Sequence, residues 1–309
     1  MFMVTFMVVS MDNYSQYTQY TKSLIQIIEA KLDEYLIEIF PKEIWKAMRY
    51  SVLSGGKRLR PILVLESSKI CGGKLEEALP TACALEMVHC YSLIHDDLPC
   101  MDNDDFRRGK PTNHKVFGEG MAVLAGDALL SVAPQIILQK TPASIDKEIL
   151  FKILDEFYEA IGPNGMLGGQ VVDILSENKK IDIPTFEYIH THKTGKLFEF
   201  ALRSGAILAK ADTKKLSTLS EYGKIIGYAF QIADDILDEI STFEKLGKTP
   251  HKDANAHKNT HTSIFGIENS KTELLSLCDK AKSVLQLENI NSPLLFDIAQ
   301  GLVDKIKGE

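Results

Sequence analysis

Two groups of aspartates stand far apart in the chain. The first lies in the stretch HDDLPCMDNDD that begins at His95 and contains Asp96, Asp97, Asp102, Asp104 and Asp105. The second lies in FQIADDILD, from Phe230 to Asp238, and contains Asp234, Asp235 and Asp238. Carboxylate oxygens without Cys or His as fellow ligands suit hard cations, and Mg²⁺ is typically held by a few carboxylates together with substrate phosphates and water. On a helix Asp234 and Asp238 are i,i+4 neighbours and Asp235 and Asp238 are i,i+3 neighbours, so the three converge on one side. That side belongs to a run that is otherwise apolar, through Ile225, Ile226, Ala229, Ile232, Ile236 and Leu237. Carboxylates placed there are costly without a counterion. In the first group His89 and Asp96 share a helix face, whereas Asp96 and Asp102 diverge by about 120° in a regular helix. Pro99 offers the break that would return Asp102 to the side of Asp96. One acidic cluster is more often a solvated face than a site; two clusters on apolar helices are harder to dismiss. Neither has the twelve-residue pattern of a calcium-binding EF-hand.

Cations accompany both groups. Gly55-Gly56-Lys57-Arg58-Leu59-Arg60-Pro61 sets three basic residues beside a helix start, Arg107-Arg108 follows the first cluster, and His192-Lys193-Thr194-Gly195-Lys196 falls between the two. Lys248, Lys252 and Lys258 follow the second. Guanidinium forks and ammonium groups near carboxylate clusters suit a diphosphate bridged by Mg²⁺. Competing phosphate and acyl chemistries lack their signatures, since there is no GxxxxGK[ST], no GxGxxG after a strand and no GxSxG.

The elements that must position these groups read as successive helices. Apolar residues recur at helical spacing from Tyr20 to Phe40, where Pro41 stops the run, and again from Ile44 to Leu53. Pro61 sits early in another helix, and further segments are predicted at about 79–98, 119–139, 147–161, 184–209 and 216–239. No sustained alternation predicts a strand, so the class is all-α. The 309 residues permit one or two domains. Long segments, short loops and no shift of composition favour a single helical domain over residues 16–309, behind a loose N-terminus over 1–15 with Met11 as an alternative start.

A net charge of −7 gives no global positive field for nucleic acid, so no nucleic-acid partner is expected. The five cysteines are odd in number and scattered, and read as reduced thiols of a cytoplasmic protein. MFMVTFMVVS lacks a basic flank and the length of a membrane span, so no stable membrane insertion is expected.

On these motifs the sequence resembles the trans-isoprenyl diphosphate synthases, the polyprenyl synthetase family. The resemblance rests on HDDLPCMDNDDFRRGKPT from His95, FQIADDILD from Phe230, GGKRLRP from Gly55, EMVH from Glu86, GGQVVD from Gly168 and KTG from Lys193, in the family's order. It implies a single helical bundle around a central cavity, a homodimer, and Mg²⁺ as cofactor, three ions with bound diphosphate. It also implies metal ligation by Asp96, Asp97, Asp102, Asp234, Asp235 and Asp238. Arg107, Lys193, Thr194, Gln231, Lys248 and Lys258 match positions that bind an allylic diphosphate. Lys57, Arg60, His89 and Arg108 match those that hold isopentenyl diphosphate, and Gln170 and Asp173 match a supporting pair. Asp96, Asp102, Arg107, Lys193 and Asp234 would then carry the catalytic burden. The implied reaction is head-to-tail condensation of isopentenyl diphosphate with dimethylallyl and geranyl diphosphate.

Tyr91 and Ser92, five and four positions before Asp96, lie about one turn or slightly more below it and match the family's product-length gate. The bulk of Tyr91 implies a fifteen-carbon product, farnesyl diphosphate, with geranylgeranyl diphosphate as the alternative. The extra residues in the first motif fit a bacterial and plastid subgroup, and His261 stands where a tyrosine is common. A terpene cyclase or squalene-type synthase is disfavoured by retention of the second aspartate motif together with Lys57, Arg60, His89 and Arg108. A non-catalytic regulatory subunit would be expected to have lost some of these groups.

Overall fold

Helices form here because apolar residues return every three or four positions, and each stripe is buried against the next. Leu24, Ile28 and Leu32 line one face of the first helix, Leu36 continues the stripe just past its end, and all four are at most 2% exposed. The computed structural model describes residues 11–240 and 259–307. In chain order its helices are α1 (Met11–Tyr35), α2 (Lys42–Val52), α3 (Leu59–Ile70), α4 (Leu75–Asp96), α5 (Asn113–Phe117), α6 (Glu119–Lys140) and α7 (Lys147–Ile161). Then come α8 (Met166–Ser176), α9 (Ile183–Ile189), a π-helical segment His190–Gly195, α10 (Lys196–Leu208), α11 (Thr213–Ile240), α12 (His261–Phe265), α13 (Ile267–Leu287) and α14 (Pro293–Lys307). One antiparallel hairpin interrupts them, β1 (Phe106–Arg107) with β2 (Lys110–Pro111). The protein is an all-α bundle.

The bundle centres on α3, α4, α10 and α11: α4 packs on α3 and α6, and α10 on α3 and α11, while α13 covers the far side of α11. Among the described residues α6 alone has the length and apolarity of a membrane span. It is a bundle helix, with Ala122, Ala125, Leu129 and Ala133 fully buried.

Several boundaries differ from the sequence expectation. Helix α1 begins at Met11, so residues 11–15 are helical rather than loose; residues 1–10 lie outside the described residues. It ends at Tyr35 rather than Phe40, because Ile37, Ile39 and Phe40 face solvent and the residue before a proline resists helical geometry. The Arg49 guanidinium takes over the end of that helix, donating to the carbonyls of Asp33 at 3.0 Å and Leu36 at 2.8 Å. The segment read as one helix over 184–209 is two helices joined by the π-helical turn. Helices α8, α13 and α14 went unread, the first because Gly168 and Gly169 look like breakers.

The start of α3 rests on a buried ion pair. Arg58 caps the helix in the left-handed conformation, with φ 49°, and its side chain is fully enclosed. The guanidinium donates to Glu86 Oε1 and to the Val52 carbonyl, each at 2.7 Å, and reaches Glu29 at 3.3 Å. Of the three cations in the GGKRLRP stretch, Arg58 therefore serves the core. Its bond to Glu86 ties the loop carrying Lys57 and Arg60 to α4, one turn from His89. Glu86→Ala would leave this charge buried with a remnant of its partners and cost about 3–5 kcal/mol. Urea unfolding checks this, and a loss below about 1 kcal/mol, the scale of an exposed pair, would refute it.

Candidate active site

Helix α4 delivers His89, Tyr91, Ser92 and Asp96 along one wall of a cavity of about 400 Å³, which Arg60, Gln170, Lys193, Thr194, Met166 and Leu197 also line. Just past Asp96 the chain leaves the helix and turns back. The Asp102 N–H donates to the Asp96 carbonyl at 2.8 Å, and the Asp104 N–H to that of Asp97 at 3.2 Å. The turn around Pro99 thus brings the backbone of Asp102 against that of Asp96, the return that a break there would allow.

A series of side-chain bonds crosses from the first aspartate group to the second. Gln170 Nε2 donates to Asp96 Oδ1 at 3.1 Å, and Asp173, one turn further along α8, accepts from Lys193 Nζ at 2.7 Å. Thr194 Oγ1 donates to Gln231 Oε1 at 2.8 Å, and Gln231 Nε2 donates to Asp235 Oδ1 at 2.9 Å. Asp235 Oδ2 accepts the backbone N–H of His261 at 2.7 Å. The π-helical turn makes this possible: its extra residue per turn aims Lys193 at α8 and Thr194 at α11. Such turns mark functional segments in many helices. Gly169 lets α8 approach, since a Cβ there would lie 2.2 Å from the Lys193 nitrogen.

The hairpin carries the arginines. Arg108 and Gly109 form its two-residue turn with φ 53° and 73°, the pair of positive values a type I′ turn needs. Arg107 holds Asp97 with three contacts of 2.6–2.9 Å. Arg108 donates to the Gly55 carbonyl and lies over Gly56, where a Cβ would come within 2.8 Å of its Cζ. Gly56, at φ 136°, is required both for that conformation and for that approach. Arg60 stacks on Phe198 at 4.9 Å, and its buried Nε has no hydrogen-bond partner among the described residues. An orphaned guanidinium nitrogen in a cavity wall suits an anionic guest.

The second aspartate group lies where the helix geometry puts it, with Asp235 and Asp238 buried and Asp234 exposed. Lys248 and Lys258 lie outside the described residues. The loop after them is anchored: Asn259 Nδ2 donates to the carbonyls of Ser176 and Lys179 at 3.0 and 3.1 Å. The His261 ring sits among Phe186, Tyr228 and Phe265 and bonds Ser270 at 2.7 Å, so the histidine fills an aromatic nest. One residue the sequence reading missed is Lys305 on α14. Its ammonium meets that of Lys57, feels the charge of Asp234 and lies 5.8 Å from the Phe230 ring. Burial first, then Lys57, pushes it down to about 8. Its signal was the amphipathic run Leu294, Leu295, Ala299, Leu302, Val303, Ile306, which predicts a helix returning to the core.

Among the described residues no three His, Cys, Asp or Glu side chains form a metal cage on their own. An all-carboxylate set on two walls, faced by cations, fits Mg²⁺ in the company of diphosphate oxygens.

The Polyprenyl synthetase family pattern matches residues 41–290. A geranylgeranyl diphosphate synthase of Cyanophora paradoxa is 46% identical over 91% of this chain and 93% of its own. A farnesyl diphosphate synthase of Geobacillus stearothermophilus is 41% identical over 91% and 95%. The structure of a Helicobacter pylori geranyltransferase, described as complexed with magnesium and isoprenyl diphosphate, superposes with a TM-score of 0.82 at 30% identity, over 94% of this chain and 97% of that one. The chain belongs to the trans-isoprenyl diphosphate synthase family. Its activity is that of a trans-prenyltransferase, which condenses isoprenoid diphosphates.

The site contains titrating groups of opposite sign. Burial, then the Arg60, Arg108, Arg107 and Arg58 charges, holds His89 well below the usual imidazole range, so it is neutral near pH 7. Burial pushes His190 down to about 4, and likewise His261. In the unfolded chain these imidazoles gain protons as pH falls through about 6.5, while the folded protein refuses them. Their stabilisation is complete above that pH and is lost on acidification. Asp97 runs the other way: burial lifts it to about 6 despite Arg107, so its contribution declines as pH rises from about 4 to 6. Three histidines outweigh one aspartate, and stability should fall between pH 7.5 and 5, with His190 alone supplying roughly 2 kcal/mol of the loss. Urea midpoints at the two pH values, for the wild type and His190→Gln, measure this; a flat wild-type profile contradicts it.

Proposed function

We propose that this trans-prenyltransferase makes farnesyl diphosphate from isopentenyl diphosphate with dimethylallyl and then geranyl diphosphate. The observation that carries the product length is Tyr91. It lines the cavity just below Asp96 and is 4% exposed, so its ring occupies space a longer chain would need. Ser92 turns its hydroxyl back onto the His89 carbonyl at 2.9 Å and narrows the same wall.

In this reading Asp96, Asp102 and Asp234 hold Mg²⁺, three ions in all, with Asp97, Asp235 and Asp238 completing the two carboxylate walls. When bound, Mg²⁺ neutralises charge on the departing pyrophosphate. Lys193, Thr194, Gln231 and Arg107 grip the allylic diphosphate, with Lys248 and Lys258 assigned to the same substrate. Lys57, Arg60, Arg108 and neutral His89 hold isopentenyl diphosphate, and Lys305 joins them. The juxtaposed ammoniums of Lys57 and Lys305 are mutually repulsive until an anion lies between them, which supports a diphosphate there. Lys193 and Arg107 stabilise the negative charge that develops on the departing pyrophosphate, so that the allylic C–O bond can ionise. The isopentenyl double bond then attacks the allylic carbon, and a proton passes to released pyrophosphate. The apolar walls of Met166, Leu197 and Tyr91 keep water from the cation.

A homodimer is supported by exposed apolar residues on α6 and α7, among them Val123, Leu124, Leu138, Phe151 and Tyr158. A reducing, cytoplasmic setting is supported by five unpaired cysteines.

Purified protein given Mg²⁺, isopentenyl diphosphate and geranyl diphosphate should yield farnesol after dephosphorylation. Tyr91→Ala should move the endpoint to twenty carbons or beyond. Geranylgeraniol from the wild type would reject the Tyr91 stop, and no extension of any allylic primer would favour the regulatory-subunit reading. Lys305→Ala should raise the KM for isopentenyl diphosphate about tenfold, the scale of one charge-assisted bond, with a smaller effect on the allylic KM. Equal effects on both would remove Lys305 from the isopentenyl side.

A further inference from the structure

Tyr91 blocks a growing chain only if its ring cannot turn aside, and the surroundings show what stops it. His95 stands one helical turn further along α4, on the same face. The two rings meet edge to face, with centroids 5.2 Å apart and planes at 83°. The imidazole in turn is fixed from behind by α6. Its Nε2 lies 3.1 Å from the Val123 carbonyl oxygen, a contact that requires the hydrogen on that nitrogen. The ring lies directly on the α6 backbone at Gly126, where a Cβ would fall 2.1 Å from Nε2 and 2.4 Å from Cδ2. No other residue leaves room for the imidazole there. Tyr91, His95 and Val123 all line the cavity below Asp96.

We propose that the His95 ring, seated in the notch at Gly126, sets product length by holding Tyr91 across the cavity floor. The inference rests on the prenyl-transfer reading above and extends it to residues outside the diphosphate site. Tyr91 supplies the bulk, and His95 and Gly126 supply the rigidity. A stop built from a ring without that backing would yield under the apolar pressure of a lengthening chain, because an aromatic side chain can rotate into freed space. His95 is a positioning residue here and touches no reacting atom.

The test compares product distributions, which a merely structural role would not move. Wild type, Tyr91→Ala, His95→Ala, the double variant and Gly126→Ala are each incubated with Mg²⁺, isopentenyl diphosphate and geranyl diphosphate, and the dephosphorylated alcohols are chromatographed. His95→Ala should raise the ratio of the next longer product to the wild-type endpoint by about tenfold or more, the range set by small changes in an apolar pocket. In the double variant the distribution should match Tyr91→Ala alone, since a positioner has nothing left to position. Gly126→Ala should push the imidazole toward Tyr91 and shift products the other way, with the ten-carbon share rising when dimethylallyl diphosphate is the primer. Where His95→Ala does not fold, His95→Gln removes the ring face but keeps a donor at the position of Nε2 toward Val123, and should give the same lengthening. A wild type that extends no primer fails the prenyl-transfer reading itself. A wild type that extends, with His95→Ala and His95→Gln keeping its endpoint while Tyr91→Ala shifts it, overturns the present proposal. So does a double variant whose shift is the sum of two independent ones.

Discussion

The irregular turn between Ile189 and Lys196 is the constraint on which the site depends. A regular α-helix would present Lys193 and Thr194 one hundred degrees apart with fixed pitch, and neither α8 nor α11 would be met squarely. Widening the turn lets Lys193 reach Asp173 while Thr194 reaches Gln231. Two walls rich in carboxylates repel one another, and this turn is where they are joined by neutral and cationic groups. Gly169 and Gly227 lie against it without side chains, so the neighbouring helices come close enough to make those bonds. The cost of the poorer helical geometry is met by packing on both sides.

Cations on the opposite side are held by a different device. Arg58 forgoes the cavity and spends its charge on Glu86, inside the core. That pair fixes the backbone from which Lys57 and Arg60 extend, and Gly55–Gly56 then brings Arg108 alongside. The cations Lys57, Arg60, Arg108 and Lys305 are thus brought together from a loop, a hairpin and two helices, whereas Lys193, Thr194 and Gln231 are set along helices. The first depends on a buried ion pair and the second on a chain of hydrogen bonds.

Much of this was legible in the residues. Helical spacing gave the class, because burial of a stripe leaves a periodic trace. Asp96 and Gln170, named from their motifs, lie within a hydrogen bond of each other, and Pro99 marked a place where the chain could leave the helix and turn back. What stayed hidden depended on tertiary direction. Nothing in GGKRLRP distinguishes Arg58, turned inward, from Lys57 and Arg60, and no local pattern announces a widened turn inside an apparently continuous helix. Lys305 escaped because its role arises from the docking of α14 against residues almost the whole chain away. His261 looked like a departure, yet its backbone N–H is what serves Asp235, and any residue supplies that.

The meeting of Lys57 with Lys305 has a consequence for biosynthesis. The groups contributed by α3 and α4 emerge from the ribosome well before those of α14. A nascent chain that has folded its two aspartate groups still lacks the Lys305 ammonium until α14 has been made and has docked beside Lys57. A chain released before that point would carry the carboxylates without this cation.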